Sequence, residues 1–217
     1  MATVVRRLSI FLIMVTAISA ASLSQAQFNT EILALQTRWA EVNYQTEGKE
    51  QIAQFEALIS EAEKVTAENP RSAEAWIWSG IIKSTYAGAR GGIGALSAAK
   101  GARADLEKAI GLNPEAMNGS AYATLGVLYL NVPGWPLAFG DEDKGVELIE
   151  KALALAPNDI DNNYFYAEYL LSEKKFDRAE RHLMQALAAA PRPGRALADT
   201  GRREEIQAML EQVKAKR

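Results

Sequence analysis

Four prolines constrain this chain more than any other feature. Pro70, Pro114, Pro157 and Pro191 each close a stretch with helical apolar spacing, at intervals of 44, 43 and 34 residues. Proline lacks a backbone N–H and clashes with the preceding turn, so each one marks the end of a helix. The stretches themselves repeat apolar residues three and four apart. Ile32, Leu35, Trp39 and Val42 form one stripe, Ile52, Phe55, Ile59 and Ala62 a second, and Ile206, Met209, Leu210 and Val213 a third. Runs of alternating β-branched residues, the mark of a half-buried strand, are nearly absent. The pattern predicts an all-α protein built from helical units that end periodically.

The units also resemble one another. Ala109, Ala152 and Ala186 each stand five residues before a closing proline, and Ala102, Gly145 and Ala179 stand seven earlier again. Small residues seven apart on one helix let a partner helix approach closely. The strings Leu106–Pro114 (LEKAIGLNP) and Ile149–Pro157 (IEKALALAP) match at most positions. Tyr122, Leu125, Gly126 and Tyr129 follow the pattern W/Y-x-x-L-G-x-x-Y at the start of their unit, and Trp76 and Gly80 follow it in part. Fixed-period similarity of this kind is the signature of stacked helical repeats.

Over Ala73–Pro191 the sequence resembles the tetratricopeptide repeat (TPR) family, with a degenerate unit before Pro70. Ser79, Lys83 and Ala167 depart from its pattern where Leu, Tyr and Gly are usual. The resemblance implies a TPR-type helical-hairpin solenoid of about three to four repeats. Repeats are expected at 73–114, 119–157 and 160–191, preceded by helices over 27–70 and capped by a helix over 198–215. The whole of 27–217 is expected to form one domain. The resemblance also implies that the first helix of each pair lines a concave groove. It places there Glu74, Ile77, Ile81, Ser84 and Thr85, then Ser120, Ala123, Val127, Leu130 and Asn131, then Asp161, Tyr164, Glu168, Leu171 and Ser172. The Lys, Arg and Asn that clamp an acidic peptide tail are almost missing from these positions. Ile77, Ile81, Val127 and Leu130 give the groove an apolar middle, and exposed apolar surface costs about 25 cal/mol per Å². A cover is expected: an internal helix from 32–42 or 206–213, a partner helix, or a hydrophobic small molecule.

Two repeats exceed the 32 residues of the third, by ten and by seven, and both excesses fall at the turn inside the helix pair. Gly88–Gly94, with Arg90, is read as a first enlarged turn whose exposed N–H groups and cation suit an anion. Asn131–Asp141, with Trp135 and Phe139, is read as a second, its aromatics docking on a neighbouring repeat or meeting a partner. Asp141, Glu142 and Asp143 precede a helix and are read as a cap with dipole-complementing charge. The loop texture, with the tail Pro191–Arg195, is similar to the TPR-like T-component associated with TRAP-type solute transporters. That narrower resemblance implies assembly with a periplasmic solute-binding protein.

The start of the chain reads as an address. Arg6 and Arg7 precede an apolar run over 8–21, and Ser24 and Ala26 supply small residues of the A-x-A kind. This is the pattern of a secretory signal peptide, cleaved after residue 26. The run is shorter than the about 20 apolar residues of a transmembrane helix, so no stable membrane anchor is expected after cleavage. The chain holds no cysteine, which removes lipoprotein anchoring, disulfides and thiolate metal sites, and points to a periplasmic protein.

Composition narrows the function. With 24 Lys+Arg against 27 Asp+Glu, the net charge of −3 argues against nucleic acid as a partner. His182 is the only histidine, which excludes a multi-histidine metal site and leaves Ser–His–acid catalysis with one candidate base beside the charged Arg181. It reads as a solvated surface side chain. No nucleophile elbow or phosphate-binding loop occurs. The sequence therefore predicts a non-catalytic, cofactor-free exported scaffold that binds a protein partner. A carrier of a hydrophobic small molecule is the second reading, and a two-carboxylate hydrolase of envelope polymers a distant third.

Overall fold

A computed structural model describes residues 27–216, so the expected leader over 1–26 lies outside the described residues. The chain divides into two compact units, Met1–Ala34 and Leu35–Arg217. Of the first unit, residues 27–34 are described and are helical. The second unit begins with helix α1 over 35–45 and continues through α2 (Gly48–Glu68), α3 (Ala73–Arg90), α4 (Gly92–Leu112), α5 (Ser120–Asn131), α6 (Glu142–Leu155), α7 (Ile160–Ser172), α8 (Phe176–Leu187) and α9 (Ala196–Ala215). No strand occurs among the described residues.

Pro70, Pro114, Pro157 and Pro191 fall just beyond α2, α4, α6 and α8. The starts of several helices are capped by side chains. Ser72 Oγ accepts from the Ala75 N–H at 3.2 Å, Asp141 Oδ1 from that of Lys144 at 3.0 Å, and Asp159 Oδ1 from those of Asp161 and Asn162. Each satisfies an N–H that the first turn leaves without a partner. Glu142 and Asp143 occupy the first turn of α6, as the dipole favours.

Helices pair as α3/α4, α5/α6 and α7/α8, and α9 closes the stack against α7 and α8. The small residues seven apart make the close approaches. Ala102, Ala109, Ala152, Ala179 and Ala186 are fully buried. A Cβ on Gly126 would lie 2.7 Å from the Gly145 carbonyl, and one on Gly145 would lie 3.0 Å from the Gly126 carbonyl. Backbone therefore meets backbone between α5 and α6, and no larger residue fits on either side.

The departures from the repeat pattern are compensated in place. Ser79 and Lys83 on α3 both reach Asp105 on α4, donating to Oδ2 at 2.6 and 2.9 Å. The equivalent position of the third repeat is His182, whose Nδ1 lies 2.9 Å from Asn163 Oδ1 and whose ring meets Tyr166 edge-on. His182 is thus half-buried and ties α8 to α7, which corrects its reading as a solvated surface group. Burial, with Arg178 and Arg181 nearby, pushes its pKa down.

The first enlarged turn is also corrected. Gly88–Gly94 forms no loop: α3 runs to Arg90, α4 starts at Gly92, and Gly91 alone connects them. Gly91 and Gly92 both take φ of 63°, which reverses the chain at once. The extra residues are spent on length instead, giving helices of 18 and 21 residues where α7 and α8 have 13 and 12. The alanines at 87, 89, 95, 98 and 99 favour this outcome. The second excess does form a loop, over 132–141.

Candidate functional site

The first helices α3, α5 and α7 lie side by side and line one concave face. Two other segments fold over it. Trp39 on α1 donates from Nε1 to Thr85 Oγ1 at 3.0 Å and meets Trp78 edge-on at 6.0 Å. Tyr44, at the end of α1, rests its ring against Gly201 of α9, where a Cβ would lie 2.4 Å from it. Its hydroxyl donates to Glu205 at 3.5 Å. The two ends of this unit therefore meet across the groove and leave a half-enclosed chamber of about 520 Å³.

Much of this chamber is charged. Asp161, at the start of α7, accepts from Arg192 Nη1 at 2.6 Å and from Arg202 Nε at 2.7 Å. Arg192 also donates from its backbone N–H and from Nε to Asp199, at 2.7 and 2.6 Å. Arg202 reaches Glu205 at 2.6 Å and lies 4.1 Å from the Tyr164 ring centre. Burial alone would raise the Asp161 carboxyl, but Arg202, Arg192 and Arg195 outweigh it and hold it far below the usual carboxylate range. The phenols of Tyr44 and Tyr164 are pushed up to about 12, chiefly by burial against the opposing pull of Arg202. This network clasps α7, the segment after α8 and α9 into one piece.

Of the residues expected to bind, Ile81, Val127, Tyr164 and Glu168 line the chamber. Ile77 does not: it is fully buried in the core with Leu106 and Ala109. Leu130 packs across Gly145 of α6. The face is consequently less apolar than expected, because those two side chains point into the helix pairs. Arg90 lies elsewhere again, paired with Glu56 of α2 at 2.9 Å and bonded to Tyr86, so it is engaged between helices rather than waiting on an anion. Among the chamber residues that sequence reasoning missed are Arg195 and Arg202, with Arg192 behind them on Asp161. The only signal was the basic tail after Pro191, whose destination depends on residues far away in the chain.

A second site lies at the edge of the array. The loop over 132–141 is pinned at its base, with the Gly140 N–H donating to the Pro133 carbonyl at 2.9 Å and the Asp141 N–H to that of Tyr129 at 3.0 Å. Phe139 turns inward, edge-on to Tyr129 and 5.0 Å from the Arg103 guanidinium. Trp135 turns outward and is 89% exposed, with Leu137 72% and Ile93 90% exposed. Ile93 and Leu137 border an apolar cleft of about 640 Å³ between the α3–α4 turn and this loop. Among the described residues no group of three metal-ligating side chains occurs, and no helix is long and apolar enough to cross a membrane.

No family model and no curated protein matches the chain. Among solved structures it is similar to TTC0263, a thermophilic TPR protein of Thermus thermophilus. The TM-score is 0.54 at 15% identity, over 83% of this chain and 87% of that one. It is also similar to two structures of MamA, each with a TM-score of 0.43, at 20% and 19% identity over 77% and 84% of this chain and 91% of each of those. The helix pairs, their small-residue contacts and the likeness to TTC0263 together make this chain an all-α solenoid of the tetratricopeptide type.

Proposed function

We propose that the protein is a non-catalytic, exported scaffold that holds a protein partner along the edge formed by the α3–α4 turn and the 132–141 loop. The observation that carries this reading is that Ile93 and Leu137, both largely exposed, border one apolar cleft, with the exposed Trp135 two residues from Leu137 on the same loop. Exposed apolar patches rimmed by polar groups mark interaction surfaces, and tryptophan is enriched where binding energy concentrates. The loop that presents Trp135 and Leu137 is tied at its base, so little ordering entropy is lost when a partner arrives. Within this reading the partner is an extracytoplasmic solute-binding protein, as the resemblance to TRAP-associated T-components suggests. The leader pattern supports a periplasmic location.

A photo-crosslinking residue at position 135, 93 or 137 should capture one and the same protein in the native cell, while one at Lys174 should not. Capture at every position alike, or at none, overturns the reading. Export is tested separately: the protein recovered from the periplasmic fraction should begin at Gln27.

A further inference from the structure

The apolar cleft and the charged chamber share a wall. Ser84 and Gly88 on α3 and Val127 and Asn131 on α5 border both. No charged side chain borders the cleft, and Ser84 and Asn131 are the only polar side chains that do, so its polarity lies wholly on the side it shares with the chamber. The Ser84 hydroxyl forms no hydrogen bond among the described residues. Asn131 donates from Nδ2 to the Val127 carbonyl at 3.1 Å, which leaves its Oδ1 as a free acceptor. Gly88 stands at the same wall, inside α3. Glycine weakens a helix relative to alanine, and neither a positive φ nor a close contact calls for it here: a Cβ at 88 would meet no atom within 4 Å. What the missing side chain does is keep the space between cleft and chamber clear.

We propose that the cleft binds the tail of a single-chain amphiphile with an uncharged, hydroxyl-bearing head, of the monoacylglycerol class, and that the head lies at the shared wall beside Gly88. An alkyl tail suits a wall without charge, and its burial against Ile93, Leu96, Val132 and Leu137 supplies the driving force. The cleft volume of about 640 Å³ falls within the range of small-molecule pockets. At the polar end a hydroxyl can donate to Asn131 Oδ1 and bond with Ser84, whereas a carboxylate can only accept. An ionic head also finds no open counter-charge in Asp161, Arg202 and Glu205, which pair among themselves. The tail uses the cleft proposed above as part of a partner surface but does not rest on that reading. Crosslinking at Trp135, which does not border the cleft, reports the protein partner, and the titration below reports the amphiphile.

The purified protein is titrated with 1-monolauroylglycerol below its micelle concentration. Melting temperature and intrinsic fluorescence are followed, the latter because Trp39 and Trp78 line the adjoining chamber. The ester should bind and raise the melting temperature. 1-Monodecanoylglycerol, two methylenes shorter, should bind about tenfold more weakly, and laurate, with the same tail and a charged head, should also bind more weakly than the ester. Gly88→Leu should weaken the ester about tenfold or more while melting no lower than wild type, because leucine is the better helix former and its Cβ meets no neighbour. Ser84→Ala, which removes no bond of the fold, should weaken it about threefold or more. The proposal is overturned if the ester does not bind, if tail length makes no difference, or if laurate binds as tightly. It is also overturned if either substitution, in protein that melts as wild type does, leaves the affinity unchanged.

Discussion

The concave chamber and the loop edge treat their side chains in opposite ways. Around the chamber, Asp161, Arg192 and Arg202 are largely withdrawn from water and held by partners, and the ends of the unit fold over the apolar residues that the repeat exposes. At the edge, large apolar groups stand in water on a loop that hydrogen bonds keep in shape. The chamber's chemistry is largely directed inward, at joining α1, α7 and α9. The edge has no such internal task, and for that reason it is the better surface for a partner.

The largest effect should come from the chamber clasp. Asp161→Ala removes the carboxylate that Arg192 and Arg202 share. Breaking a fully buried pair costs about 3–5 kcal/mol. Asp161 keeps 26% of its side-chain surface open, so we expect about 2–4 kcal/mol by denaturant melts, once solvent screening is allowed for. An effect below about 0.5 kcal/mol, the level of an ordinary surface change, would mean that the clasp does not join the elements. The pH dependence has a definite sign. Because the Asp161 pKa is depressed by folding, its stabilisation is complete above the unfolded value near ~3.9 and is lost as pH falls below it. The gap between wild type and Asp161→Asn should therefore shrink in acid.

Next in size is Ala186→Phe, which inserts a ring where α8 meets its partner and should destabilise by about 1–3 kcal/mol. An unchanged melting temperature would show the repeat register to be wrong. Glu168→Gln should act in the opposite direction and more weakly. Folding raises the Glu168 pKa, so this carboxyl detracts from stability as pH rises past its unfolded value near ~4.3. The variant should melt higher than wild type at neutral pH and lose that advantage near pH ~4. A lower melting temperature at neutral pH would show that Glu168 has a stabilising partner. Trp135→Ala should change stability least, within about 0.5 kcal/mol, while abolishing capture of the partner. A large loss of stability would move Trp135 from the interface to the fold and erase the contrast between the two regions.

Much of the fold was legible in the sequence because its determinants are local. The prolines, the capping residues at Ser72, Asp141 and Asp159, and the small residues seven apart act within one helix or between neighbours. The fate of Gly88–Gly94 was less legible, since a glycine-rich string suits a loop and a tight helix reversal equally, and flanking alanines decide between them. The candidate site was legible only in part. The groove positions Ile81, Val127, Tyr164 and Glu168 follow from repeat register. Ile77 and Leu130 share that register but turn into the core, because helix rotation, which the sequence pattern does not specify, selects the face.

The sequence by itself determined a two-helix repeat and its boundaries, because helix periodicity and helix ends are set by neighbours a few residues apart. Only the tertiary structure decided that the groove closes on itself. Trp39 and Tyr44 come from one end of the unit and Arg195, Gly201 and Arg202 from the other. No local pattern joins residues so distant in sequence; they meet because the stacked repeats curve far enough to bring the two ends together.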